Sequence, residues 1–212
     1  DRSALQALAR ADALRGLAGH RRRQWWAVSG WHAPLALERA ATVPTIPAGM
    51  NGAHESNGPD DADWQPPPAP LGEEVWQDYA GTGLSLRAHP LALLRPRLPA
   101  AQWLPAQRLR TQPHGRLLGA CGLVTARQKP ATAQGVLFLT LEDETGPVPV
   151  IVWRRVQTRF RQALLQGRLL AIRGQWQRQG DGEHAVCHLI AGHVQDLSPW
   201  LGELAVASRD FH

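Results

Sequence analysis

The 212-residue sequence predicts an α+β chain in several parts, in which short helices lead into a five-stranded β-barrel. Three observations carry this expectation. Short β-branched-rich runs alternate with Gly, Pro and Asp signals from Gly122 to Trp153. Two of these runs are joined through the turn Glu142-Asp143-Glu144-Thr145-Gly146, as in a hairpin. One segment of helical period, Arg154 to Gln166, then separates the third run from two more. Strand-strand-strand-helix-strand-strand is the order of the five-stranded oligonucleotide-binding (OB) barrel.

The first run, Leu117 to Val124, is broken by Gly119 and Gly122, and a basic loop with Arg127, Lys129 and Pro130 follows. The second, Val136 to Leu141, alternates. Leu137, Leu139 and Leu141 share the face suited to a barrel interior, and Val136, Phe138 and Thr140 take the outer one. An outward Phe138 has two readings. It stacks a nucleic-acid base, worth ~1–3 kcal/mol, or it is covered by a neighbouring segment.

The third run is Val148 to Trp153. The helix after it carries Val156, Phe160, Ala163 and Leu164 at helical spacing. Its Arg154, Arg155, Arg159 and Arg161 have no acid among them, and attract phosphate or form a solvated face. On the fourth strand, Leu169 to Gln177, Arg173, Gln175 and Gln177 face outward, and Trp176 either closes the barrel end or stacks a base. The turn Gln179 to Gly182 leads to a fifth strand, Glu183 to Ile190. Arg178 beside that turn is in reach of a strand threading the groove.

Upstream, residues 1–30 read as helices. Ser3 caps the first, Gly16 and Gly19 mark turns, and a second helix from about His20 to Val28 carries Arg21, Arg22 and Arg23 in its first turn. Residues 31–70 lose periodicity and gather Pro, Gly, Asn and Asp, which predicts a flexible linker. Residues 71–114 form a helical lead-in: a helix from Leu71 to Tyr79, acidic at its start, and another from Pro90 to Leu94 after a structural His89. Residues 115–196 are the barrel, and the tail 197–212 caps it.

A net charge of +5 favours a polyanionic partner. Cys121 and Cys187 have neither metal spacing nor a disulfide framework, which suits a reducing cytoplasm. No apolar run approaches the ~18 residues of a membrane span, so no membrane partner is expected. The chain begins at Asp1 inside a helical motif, without Met or signal peptide, and reads as a fragment.

No catalytic centre is legible. Three successive acids, Glu142 to Glu144, diverge around a turn and read as solvated, whereas two-metal chemistry needs convergent carboxylates. His184 and His188, four apart on a strand, lie roughly 13 Å apart and do not chelate. No P-loop, Gly-x-Ser-x-Gly or paired-Cys motif occurs, so no cofactor or metal site is expected in these residues.

The string GLVTARQKPATAQGVLFLTLEDETGPVPVIVW, the segment LLAIRGQWQ and the ending SRDFH resemble the C-terminal region of bacterial error-prone, DnaE-type (C-family, ImuC-like) DNA polymerase alpha subunits. The likeness extends through Leu71–Leu94 and Leu8–Gly30. The shorter pattern Phe138, Leu141, Asp143, Gly146 is also similar to anticodon-binding barrels of class II aminoacyl-tRNA synthetases.

The polymerase resemblance implies that residues 1–30 are a helix-hairpin-helix remnant, where Arg21 and Arg22 either meet phosphate or form a solvated face. It implies an OB domain holding single-stranded template through Arg127, Lys129, Phe138, Arg173 and Arg178. It further implies damage tolerance and translesion synthesis by a parent nucleotidyltransferase, with magnesium used in a catalytic part outside this chain. Mutasome accessory proteins and, indirectly, the sliding clamp are the implied partners. Pro34 to Leu37 lacks the Phe of a clamp-docking motif, and the SRDFH ending suggests a natural C-terminus. A replicative alpha subunit, a stand-alone OB module and a protein-interaction barrel are the rival readings.

Overall fold

The computed structural model describes residues 1–30, 66–133, 135–180, 182 and 185–206. Most of the expected linker, the Pro34 to Leu37 segment, Asp181, His184 and the Ser208 to His212 ending lie outside the described residues. The chain divides into two units, Asp1–Ala69 and Pro70–His212.

In the first unit, α1 (Arg2–Arg10), α2 (Arg15–Ala18) and α3 (Arg21–Gly30) follow one another. Asp1 caps α1, its carboxylate accepting from the N–H of Ser3 at 3.1 Å, so the expected cap at Ser3 moves two residues upstream. Gly16 lies inside α2, and the turn into α3 is made at Gly19, whose φ of 76° suits glycine alone. Gln24 is fully buried and ties the elements together, donating to Asp12 at 2.5 Å and to the Gly19 carbonyl at 2.8 Å.

The second unit begins with α4 (Leu71–Gly81), α5 (Pro90–Leu94) and α6 (Ala106–Arg110). It continues as β1 (Leu117–Gln128), β2 (Leu137–Asp143), β3 (Gly146–Val152), α7 (Arg154–Arg159), α8 (Arg161–Gln166), β4 (Leu169–Gln179), β5 (Val186–Asp196) and α9 (Pro199–Val206). The five strands close into a barrel in the order β1-β2-β3-β5-β4. All neighbours are antiparallel except β3 and β5, which pair in parallel.

The alternation in β2 holds. Leu139 and Leu141 are buried in the interior with Val148, Val150, Ile172, Trp176 and Leu189, while Phe138 faces out. Val136, expected outside, is 7% exposed; it precedes the strand and does not follow its alternation.

Two strands outrun their apolar signals. β1 continues through Arg127 and Gln128 because β2 supplies partners for both, in Leu139 and Phe138. β5 begins later and runs to Asp196, laddered along β4. Cross-strand pairing here overrides local polarity. The expected single helix after β3 is two short ones, broken at Phe160 (φ −117°, ψ 33°), whose ring meets His193 edge-on at 4.9 Å.

A second core lies on the outer side of β1 and β4. Leu91, Leu94, Leu98 and Trp103 from the lead-in, with Leu197, cover Cys121, Leu169 and Ala171, and Trp200, Leu201 and Leu204 pack against them. The lead-in is therefore part of the barrel's own fold. His89 caps α5 by accepting from the Leu91 N–H at 3.1 Å.

Candidate nucleic-acid interface

Phe138 is 37% exposed on β2, opposite Gln128 on β1 and Ile151 on β3. Extended backbone continues past β3 through Trp153 (φ −70°, ψ 154°), so alternation sends Ile151 and Trp153 to the same outer side. Trp153 is 52% exposed. Two aromatic rings and an isoleucine thus occupy the outside of β2–β3 at the end where the β1–β2 loop emerges. Sequence reasoning did not select Trp153; its place two residues beyond Ile151 in the same run was the available signal.

Lys129 is exposed in that loop. Arg154 lies against the loop too: a Cβ on Gly135 would come within 2.7 Å of its guanidinium. Gln157 fixes this junction, donating to the Gly135 carbonyl at 2.9 Å and the Val152 carbonyl at 2.8 Å. Arg155 is exposed beside it. Lys129, Arg154 and Arg155 therefore lie on the segments that lead into and out of one end of the aromatic face.

At the other end, a cleft of about 640 Å³ opens between Pro147 and Pro149 of β3, Arg110 of α6 and Arg178 of β4. The Arg178 guanidinium donates to the Arg110 carbonyl at 3.0 Å and the Gly182 carbonyl at 3.3 Å. Trp176 is 1% exposed and borders the cleft, its indole N–H without an acceptor among the described residues.

Other residues expected in one groove are dispersed. Arg127 pairs with Leu139, whose side chain enters the barrel, so it faces away from Phe138. Its guanidinium instead donates to the Leu164 carbonyl at 2.9 Å and to the Gly167 carbonyl, closing the C-terminal end of α8. Arg127 was expected in a loop and sits in a strand, exposed and bonded to the end of α8. Arg173 projects from β4, which is not adjacent to β2 or β3. It donates to Gln102 and lies 5.1 Å over the Trp103 ring. Arg21 is 1% exposed, so burial removes it from a solvated phosphate-binding face; Arg22 is half-buried.

The acidic turn is solvated only in part: Glu142 is exposed and Glu144 half-buried. Asp143 is 3% exposed. One of its oxygens accepts from the Ala106 N–H at 2.7 Å and from Arg95 at 3.3 Å; the other accepts from the N–H groups of Thr145 and Gly146 at 2.7 and 3.1 Å. Arg95 grips Glu144 with two hydrogen bonds of 2.7 and 2.8 Å. Lead-in and β2–β3 turn are thus clamped together.

On β5, His188 bonds Gln177 at 2.8 Å, and burial, helped by His114, holds its pKa below the usual value. No helix among the described residues is long and apolar enough to cross a membrane.

A family model described as an OB-fold nucleic acid binding domain matches residues 120–196. A protein named error-prone DNA polymerase from Alkalilimnicola ehrlichii is 44% identical over 208 residues, covering 98% of this chain and 18% of that protein. One of the same name from Xanthomonas oryzae pv. oryzae is 46% identical over 212 residues, 100% of this chain and 18% of its own length. Among solved structures, asparaginyl-tRNA synthetase from Pyrococcus horikoshii aligns with a TM-score of 0.35 at 19% identity, covering 43% of this chain and 22% of that one. The chain spans 18% of the length of these curated relatives.

Proposed function

We propose, from the premise that the homologues of this chain are error-prone DNA polymerases, that its OB barrel binds single-stranded template DNA across the outer face of β2 and β3. The observation that carries this reading is Phe138, an exposed ring in register with Ile151 and on the same side as Trp153. Bases stack on such rings with little regard to sequence, as a template holder requires. Lys129, Arg154 and Arg155 at one end, with Arg178 at the other, attract the backbone.

Pro147 to Ile151 covers four steps of β3, roughly 13 Å. That length suits a few nucleotides. In the longer protein, the barrel would steady unpaired template for a catalytic part lying outside this chain, which would use deoxynucleotides and magnesium. The homologues' name suggests error-prone DNA synthesis as the setting; synthesis past damage, with accessory proteins and an indirectly held sliding clamp, completes the proposal.

The test is fluorescence anisotropy with labelled oligothymidylate of about 16 nucleotides, the upper end of what one OB barrel covers. Duplex DNA and tRNA serve as competitors. Preference for the single strand, weakening with salt by about 0.7 log units per neutralised phosphate, supports the reading. Equal or stronger binding of duplex or tRNA overturns it.

A further inference from the structure

Arg173, which the resemblance grouped with Phe138, leads to a different part of the surface. Between α6 and the β1, β4 and β5 walls lies an open cleft of about 690 Å³. Arg108, Arg116 and Arg173 line it together with His193, and no carboxylate does, among the described residues. Its floor is apolar and close to the backbone, with Leu104, Gly119 and Gly174. We propose that this cleft is a second phosphate-binding site, which takes the phosphodiester backbone of nucleic acid on a wall of the barrel not used by the aromatic face.

Three features support this. The first is fixed geometry. A Cβ on Gly119 would come within 2.8 Å of the Trp103 ring, so glycine lets that ring approach β1 closely, and Arg173 is laid over the ring at 5.1 Å. Gln112 accepts from Arg116 at 2.7 Å. Two of the three guanidiniums are thereby oriented before any ligand arrives, which lowers the ordering cost of binding.

The second is charge. Three like charges in one cleft, with no acid lining it, repel one another and focus a positive potential, and a bound phosphate relieves that repulsion. Guanidinium forks match phosphate oxygens in pairs.

The third is the local backbone. The β4–β5 ladder slips between Arg173 and Gly174, and Gly192 of β5 lines the cleft beside the slip. A bulge bends the strand and re-aims the side chains around it. Here it opens the wall next to Arg173.

The site does not depend on base stacking, so it can be tested separately from the aromatic face. The chain carrying both Arg108→Glu and Arg116→Glu is titrated against labelled oligothymidylate of about 16 nucleotides. Arg108→Ala serves as the milder variant, and thermal melting checks that each folds. The proposal expects about tenfold weaker binding and a salt slope shallower by about 0.7 for each phosphate no longer neutralised. Phe138→Ala, in parallel, should weaken binding at unchanged slope.

An arginine effect with a silent Phe138→Ala would leave the second site standing and remove the stacking reading. A silent arginine pair in folded protein overturns the second site alone. Inorganic tripolyphosphate is the remaining arm. If it binds wild type and is lost in the arginine variants while oligonucleotide affinity is unchanged, the cleft takes free polyphosphate and the backbone assignment is overturned.

Discussion

Arg127 and Phe138 come from adjacent strands one step apart in register, yet they face opposite sides of the sheet. Phe138 pairs with Gln128 and looks outward, whereas Arg127 pairs with Leu139 and turns toward the end of α8. An outward ring and a side chain bonded to the end of α8 therefore stand on neighbouring rungs of one ladder.

Arg127→Ala should accordingly act on stability. Hydrogen bonds from a charged donor contribute ~1.5–3 kcal/mol, and removing the guanidinium leaves the Leu164 and Gly167 carbonyls short of a partner. We expect a clear fall in melting temperature and oligonucleotide affinity within about twofold of wild type where the protein is folded. An unchanged melting temperature with abolished binding would reverse the assignment.

Phe138→Ala and Trp153→Ala should each weaken single-strand binding by ~1–3 kcal/mol. Neither removes a cation, so the salt dependence should stay the same. Their double variant reports whether the rings serve one strand: losses well short of the sum indicate coupling through shared bases. Anisotropy titrations at several salt concentrations supply all three readings.

The two cysteines should react very differently. Cys121 is 1% exposed; burial, with Asp143 and Glu144 adding and Arg95 opposing, pushes its thiol up to about 12. Cys187 is half-buried. At about pH 8, iodoacetamide should modify Cys187 first and reach Cys121 only after unfolding. Mass spectrometry of partly alkylated protein would show which peptide carries the label.

His89 should make stability depend on pH. Burial holds its pKa below 6.5, outweighing the upward pull of Glu142, Glu144 and Asp143, while Arg95 also lowers it. The unfolded chain then binds a proton before the folded one does. Stability is complete above the unfolded pKa of about 6.5 and declines as pH falls toward the lower folded value. His89→Asn can keep the cap on the Leu91 N–H and should flatten this part of a melting-temperature profile. A slope that survives the substitution would assign it to other groups.

The barrel was legible because its interior is written in period two. The leucines of β2 and the pair Ile172 and Trp176 announce their faces without reference to the rest of the chain. The extent of β1 was not legible: Arg127 and Gln128 look like loop until β2 supplies partners for them. The aromatic face was half visible, since Phe138 stands in a run whose alternation can be read, while Trp153 looked like the end of an apolar stretch. In the acidic turn, the engagement of Asp143 and Glu144 was not legible for a physical reason. Both are held by Arg95, dozens of residues away, and only the folded chain brings them together. Arg173 could be assigned outward from its strand, but which wall it occupies depends on strand order.

The Arg95 clamp and the apolar packing over β1 and β4 bear on where this module can be cut. The OB-fold family match begins at residue 120, downstream of Arg95, Leu91, Leu94 and Trp103. A protein trimmed to the matched residues would present Cys121, Leu169 and Ala171 bare to water and would strip Asp143 of its Arg95 and Ala106 partners. Such a piece should self-associate. The unit recognised by similarity is thus smaller than the unit that folds, and any transplant of this barrel into another protein must carry its upstream helices with it.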